Sequence, residues 1–425
     1  MGSAEKGMRG GLFRHRDFRH FWLADAISQI GTRVGGIAIS LLAVITLHAS
    51  TFEVSVLRTL QTLAYLLIGL QAGAWCDRVR NRPVMMTADV GRAIALGSIP
   101  LAAAFGALTI WQVYAAVFVA GVLTVFFDVA HQSFLPRLVS KADLIEGNAK
   151  LKFSTSAAAL VGPGLGGLLV QWLTAPVAVL ADAVSYLWSA AWLRSVRTAE
   201  VLSPEHRDGT LRERIREGLR LVLRHPVLRA IALNNMASAF SSSAYIAIST
   251  LFLVRVIGLS AGVVGLLGSL GLIGALLGAL LARRLSAKVG AARLLVSAAV
   301  VQGLAYLFFP LTGPGWRLAW YVLGGVLTST CVIIVIVVQV SFQQTLCPDH
   351  LLGRMNATMN FLYWGAAPVG SLLAGVLASG IGLRSMLWVA AGGMLLAAVP
   401  LLASPLRTMV ELPATEPRSA EPTNR

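Results

Sequence analysis

The sequence predicts an all-α polytopic membrane protein, with twelve transmembrane helices in two pseudo-symmetric six-helix bundles. Three observations carry this. First, apolar residues make up 56% of the 425 residues and charged residues only 13%. A soluble domain carries roughly 25% charged residues, so a soluble fold of this length lacks the polar surface to cover itself. Disorder fails for the opposite reason, because there is too much to bury. Second, the apolar residues fall into stretches of about 20, the length that crosses a bilayer. Third, short patterns of the first half recur in the second.

Taken in order, the spans are 20–47, 53–75, 84–107, 109–132, 151–173, 176–194, 227–254, 261–282, 291–312, 317–341, 355–379 and 384–403. They define a segment at 1–19, a first bundle at 20–194, a linker at 195–226, a second bundle at 227–403 and a disordered tail at 404–425. With the N-terminus inside, 30 of the 35 Lys and Arg lie on the cytoplasmic side. The other five are Arg33, Arg58, Arg255, Arg317 and Arg384. This bias places both termini in the cytoplasm. An odd number of spans would spoil the alternation.

The net charge of +16 does not imply nucleic-acid binding, because the basic residues sit in short breaks between apolar runs. The use of Arg over Lys, with abundant Ala, Gly, Leu and Val, points to a GC-rich bacterial genome and hence to the bacterial cytoplasmic membrane. Residues 1–20 are basic and lead into a long apolar stretch, which is not a cleavable signal peptide. Cys76, Cys331 and Cys347 are scattered and imply neither a metal site nor a disulfide framework. No cofactor is expected.

Within the linker, Leu211, Ile215, Leu219 and Val222 share one face of an amphipathic helix over 211–224. It either lies on the inner membrane surface or forms a solvated connector. The halves on each side repeat one another. Val161-Gly162 and Gly167-Leu168-Leu169 recur 208 residues later as Val369-Gly370 and Gly375-Val376-Leu377. Leu144 with Asn148-Ala149 recurs as Leu352 with Asn356-Ala357. Repeats of this kind suit a transporter whose site lies between them.

Charges inside the bilayer cost several kcal/mol unless paired or wetted. In the first span Asp25, Gln29 and Arg33 are spaced i, i+4, i+8 and predict a polar stripe. In the fourth, Asp128 precedes His131 and Gln132. In the sixth, Asp182 precedes Ser185 and Tyr186. A buried carboxylate can exchange a proton during turnover, which makes Asp25 and Asp128 the leading coupling candidates. A cytoplasmic gate pair is the alternative for Asp25. Arg33 either holds a carboxylate ionised or meets an anionic substrate. Helix-to-helix hydrogen bonding is the stronger reading for Asp182, and a structural ion pair for Asp89 and Arg92. His131 reads as a hydrogen-bonded interior residue more readily than as a proton relay. Asn234, Asn235 and Tyr245 in the seventh span, Gln339 in the tenth, and Asn360 and Tyr363 in the eleventh predict a cavity lining, with Gln29 and His131. Aromatics beside amides suit amphipathic organic molecules.

Two segments carry motifs. The break after the second span reads Gly73-Ala74-Trp75-Cys76-Asp77-Arg78-Val79-Arg80-Asn81-Arg82-Pro83. Gly73 permits close helix approach, and Asp77 can cap a helix or pair with an Arg. The fifth span contains Gly162-Pro163-Gly164-Leu165-Gly166-Gly167. As a string this mimics a dinucleotide-binding fingerprint, but membrane-length apolar runs flank it. Read as a membrane helix, its glycines permit close packing and Pro163 bends it.

The first motif resembles the loop 2–3 motif of the major facilitator superfamily, with Trp75, Cys76 and Arg80 departing from it. The resemblance implies a conformational latch at Gly73, Asp77, Arg78 and Arg82. The second is similar to that superfamily's antiporter motif, which implies a role for Gly162, Pro163, Gly166 and Gly167 in export. Phe134-Leu135-Pro136-Arg137-Leu138-Val139 and Ala181-Asp182-Ala183-Val184-Ser185-Tyr186 are similar to the branch with enterobactin exporters and macrolide efflux proteins. The resemblance implies a proton-coupled exporter of a drug, siderophore or other secondary metabolite. Its partners would be a small-molecule substrate, protons and the lipid bilayer, around a monomeric chain. A lysophospholipid flippase or an importer is the first alternative; a non-transporting receptor or secretion accessory is the second. No phosphate-binding loop for ATP and no catalytic constellation occurs, so the chain is not read as an enzyme.

Overall fold

Both bundles open on the same local device. His15 accepts a hydrogen bond from the Phe18 N–H and caps α1 (Arg16–Leu41), and 210 residues later His225 accepts from the Leu228 N–H and caps α8 (Pro226–Leu251). Each helix then widens into a π turn, at Leu42–Thr46 and Phe252–Val256. The computed structural model describes residues 11–76, 78–140, 143–198, 211–347 and 351–407, and of residues 70, 74 and 211–215 only the backbone.

The first bundle continues with α2 (Thr51–Cys76), α3 (Asn81–Ala104), α4 (Ile110–Leu138), α5 (Leu144–Trp172) and α6 (Ala175–Arg194). The linker contributes α7 (Leu211–Arg224). The second bundle follows α8 with α9 (Ala261–Val289), α10 (Ala291–Tyr306), α11 (Phe308–Leu311), α12 (Leu318–Leu346), α13 (Leu352–Ile381), α14 (Leu383–Ala397) and α15 (Val399–Leu402). The described residues contain no strand. Two expected spans are broken, each just before a proline. Pro310 and Pro400 lack an N–H for the preceding turn, so the chain restarts as α11 and α15.

Eleven stretches among the described residues are long and apolar enough to cross a membrane. The remaining expected span, α2, has the length at 26 residues. It runs along the contact between the bundles.

Within the first bundle α1 packs on α5 and α6, α3 on α4 and α6, and α2 on α4. In the second, α8 packs on α13 and α14, and α12 on α9 and α10. The bundles meet along two seams, α5 against α9 and α2 against α13. The sequence repeat is legible here as geometry. Gly162 lies against Arg33 of α1, and its counterpart Gly370 against Phe240 of α8. Gly167 lies against Ala261 and Gly265 of α9, and its counterpart Gly375 against Ser55 and Phe52 of α2. In each repeat one glycine admits the first helix of its own bundle and the other admits the second helix of the opposite bundle.

The seams are closed at the end remote from the linker. There Thr59 Oγ1 and Ser371 Oγ are 2.9 Å apart, the Gly164 N–H donates to Ser269 Oγ at 2.9 Å, and Arg255 donates to the Ala49 carbonyl at 2.7 Å. One hydrophobic cluster at that end draws on both bundles. Toward the linker no cluster draws on both bundles. Among the described residues no hydrogen bond joins the two bundles there, and Gly69 and Gly73 face open space.

The helix α7 does more than lie on a surface. Gly218 sits against Thr358 and the Arg354 carbonyl of α13, and Glu217 pairs with Arg354. Of the predicted apolar face, Val222 is buried and Leu219 is exposed; the side chains of Leu211 and Ile215 lie outside the described residues.

A side chain at position 167 has no room: its Cβ would come 2.5 Å from the Ala261 carbonyl oxygen and 2.9 Å from Gly265 Cα. Gly167→Val is expected to cost about 1–3 kcal/mol by overpacking and to lower the melting temperature of the purified protein in detergent. Gly392→Ala, into open space, is the control. Equal melting temperatures for the two variants would contradict close packing at this seam.

Candidate proton and substrate site

The first bundle holds a cluster of buried polar groups from five helices. Asp25 of α1 is buried, and its Oδ1 accepts from Gln29 Nε2 at 3.2 Å. His131 Nε2 of α4 lies 3.2 Å from the same oxygen. Asp25 Oδ2 is buried and has no hydrogen-bond partner. One turn before His131, Asp128 Oδ2 accepts from the Tyr65 hydroxyl of α2 at 2.6 Å. The Tyr65 ring stacks on Trp364 of α13, with centroids 4.6 Å apart and planes 12° apart. An acidic cluster in one bundle therefore reaches the other through one aromatic side chain.

Behind this cluster Asp89 and Arg92 form a fully buried ion pair on α3. The Arg92 guanidinium also lies over the rings of Phe127 at 4.3 Å and Tyr186 at 4.2 Å. Tyr186 OH is 2.9 Å from Thr32 Oγ1 of α1. The pair is thus the centre of the bundle, with α1, α4 and α6 arranged around it. Asp182 of α6 is buried where α6 crosses α1. It lies against Gly31 and Gly35, which have no side chains to exclude it, and next to Ser185.

Arg33 departs from the expected stripe. It is exposed beside Gly162 and makes no ion pair with Asp25 or any other carboxylate among the described residues. A residue eight positions on has turned about 80° from Asp25 at 3.6 residues per turn, and that rotation carries it from α4 to α5.

In the second bundle the predicted cavity residues divide. Gln339 donates to Asn235 Oδ1 at 3.0 Å, joining α12 to α8, and Asn360 and Tyr363 are exposed on α13. Asn234 does not line a cavity. It is buried and donates to the Ala397 carbonyl at the end of α14, because adjacent helical residues point about 100° apart. Tyr245 belongs to an aromatic group with Tyr306, Phe309 and Tyr321, and its hydroxyl donates to Tyr321 at 3.0 Å.

The two motifs fare differently. Gly162, Gly166 and Gly167 are sites of close approach, with Gly166 against Ile37 and Val34 of α1, and the Pro163 carbonyl meets Gly265 of α9. In the loop motif Gly73 admits no close helix: among the described residues nothing lies within 4 Å of where its Cβ would be. Arg78 is exposed, and Arg82 donates to the carbonyls of Leu193 and Arg194, capping the end of α6. Asp77 lies outside the described residues.

Sequence reasoning missed Tyr65 and Arg58. Both lie on one face of α2 with Gln61 and Thr62, at spacings i, i+3, i+4 and i+7. The spacing was a usable signal, hidden because Arg58 reads equally well as a topology arginine.

Two helical bundles joined at glycine-lined seams, with paired charges inside one of them, define a membrane transporter of the major facilitator type. The chain belongs to the transmembrane secretion effector family, whose model matches residues 11–424. It is 28% identical over 370 residues to the multidrug efflux pump Tap of Mycolicibacterium fortuitum, covering 80% of this chain and 83% of that one. Its identity to Tap of Mycobacterium tuberculosis (strain ATCC 25618 / H37Rv) is 25% over 363 residues, covering 80% and 81%. Among solved structures, the nucleoside transporter NupG superposes with a TM-score of 0.73 at 10% identity, covering 91% of this chain and 98% of that one. A bacterial homologue of the iron transporter ferroportin in its inward-facing state gives 0.73 at 16% identity, covering 92% and 98%. At these identities the structural likeness concerns the fold.

Arg92→Met strands the Asp89 carboxylate in a dry interior and is expected to cost about 3–5 kcal/mol, seen as a lower melting temperature and loss of monodisperse protein. Adding Asp89→Leu removes the stranded charge and should recover most of the loss. A double variant as unstable as the single one would contradict the pair's place at the centre of the bundle.

Proposed function

We propose that the chain is a secondary exporter of bulky organic compounds, driven by proton antiport through alternating access. The carrying observation is the half-satisfied Asp25 carboxylate. Oδ1 accepts from Gln29 and lies 3.2 Å from His131 Nε2, while buried Oδ2 has no donor. An orphaned buried acceptor is costly while it is charged, and a proton on that oxygen removes the charge. Asp128 is the second coupling group. Its Tyr65 partner stacks on Trp364, so a change in its charge is felt at the seam. Tap's name as a multidrug efflux pump supports the direction of transport and the breadth of cargo.

The linker end is the cytoplasmic one, by the bias of Lys and Arg toward it. The bundles are parted there and closed at the other end, which is the state that loads cargo from the cell. Closure of the cytoplasmic side brings the loop of Gly73, Asp77, Arg78 and Arg82 into use as a latch. The glycines at 162, 166 and 167 let α5 pivot between α1 and α9. Asp182, wedged against Gly31 and Gly35, is a structural bond between helices and only the reserve proton site.

The test separates coupling from binding in reconstituted vesicles. The probes are ethidium, a cationic dye, and 4-(1-pyrenyl)butyrate, an aromatic acid; whichever the unmodified protein concentrates against its gradient is used. Asp25→Asn and Asp128→Asn are expected to abolish uphill transport driven by a pH gradient by more than tenfold, while counterflow survives. If both variants still concentrate the probe, the proton site is elsewhere and Asp182→Asn is the next variant to examine.

A further inference from the structure

We propose that the face of α2 carrying Arg58, Gln61 and Tyr65 binds the carboxylate of an aromatic organic acid at the seam between the bundles. The proposal rests on the export reading for the purpose of the site, and on the surroundings of Arg58 for its chemistry. Arg58 is half-buried in the described structure. Its Nε is fully buried and has no hydrogen-bond partner. Its Nη1 donates only to the neutral Gln61 Oε1, at a long 3.3 Å. No carboxylate among the described residues lies within ion-pair distance of it.

Other arginines near the helices have acceptors. Buried Arg92 has Asp89, half-buried Arg82 has two carbonyls at the end of α6, and even exposed Arg255 and Arg384 have the Ala49 and Thr312 carbonyls. A half-buried guanidinium without an anion is expensive in a membrane interior. Its planar fork matches a carboxylate with two parallel hydrogen bonds.

The surroundings define the rest of the ligand. Two turns along α2, about 10 Å by helical rise, the Tyr65–Trp364 stack and the edge-on ring of Tyr363 form an aromatic wall. A flat apolar body at the wall and one negative charge at Arg58 fit that spacing. The Asp128 carboxylate, held by Tyr65, disfavours a doubly charged group such as a phosphate monoester. A singly charged carboxylate is the better match.

The test compares 4-(1-pyrenyl)butyrate with its amide, which has the same shape and no charge. Saturable energy transfer from tryptophan to pyrene reports binding to the purified full-length protein in detergent, with protein-free micelles as background. The unmodified protein is expected to bind the acid at least tenfold more tightly than the amide. Arg58→Gln should abolish that preference by weakening acid binding while leaving amide binding unchanged, which also shows that the variant is folded. Arg58→Lys should keep part of the preference. Equal binding of acid and amide, a preference that survives Arg58→Gln, or no saturable signal from either probe would overturn the proposal. The export reading fails separately, if neither ethidium nor the acid is moved uphill while the acid preference persists.

Discussion

Inside a hydrocarbon layer no water is available to a stray charge, and this molecule is organised around that shortage. The Asp89–Arg92 pair is the fixed point. Arg92 is bracketed by Phe127 and Tyr186, and through these rings α3 is tied to α4 and α6. The hydroxyl of Tyr186 then reaches α1. The remaining acids of the first bundle stand around this frame on different helices, each partly satisfied by a neighbour. The second bundle has no counterpart among the described residues. At its centre are hydroxyl-bearing and plain aromatic rings. Charge is thus kept in one bundle and soft apolar surface in the other.

The seams follow the complementary rule. Where the bundles meet, small residues let backbones touch, and apart from exposed Arg255 on the Ala49 carbonyl the hydrogen bonds join neutral groups. Such a contact can be broken and remade without stranding an ion. A seam built from ion pairs would have to desolvate and resolvate charge in each cycle.

Much of this was legible in the sequence. Periodicity and charge placed the helices with ends correct to within about two turns, and the glycines of α5 pointed to close packing. Within one helix, spacing foretold Gln29 beside Asp25. It could not supply rotation across several turns or the identity of partners on other helices. Arg33 drifts off the stripe by turning too far, and of the adjacent Asn234 and Asn235 only the second meets Gln339. Tyr65 is unremarkable as a letter in an apolar helix; its importance comes from Asp128, 63 positions later, and Trp364. The expectation for Gly73 failed because a glycine marks permission for close approach, and the neighbour that would use it is absent in this arrangement.

The paired π turns have a bearing on history. Their backbones superimpose bond for bond: Leu47 N–H to the Leu42 carbonyl matches Ile257 to Phe252, and Ala49 to Ala43 matches Leu259 to Leu253. Yet Arg255, which reaches from the second turn to the Ala49 carbonyl beside the first, corresponds to Ile45. Two identical subunits related by a two-fold axis would have to carry the same residue at both places. With arginine in both turns the bond would be made twice; with isoleucine in both, it would not exist. A single chain is free of that obligation, and it holds the contact on one side only.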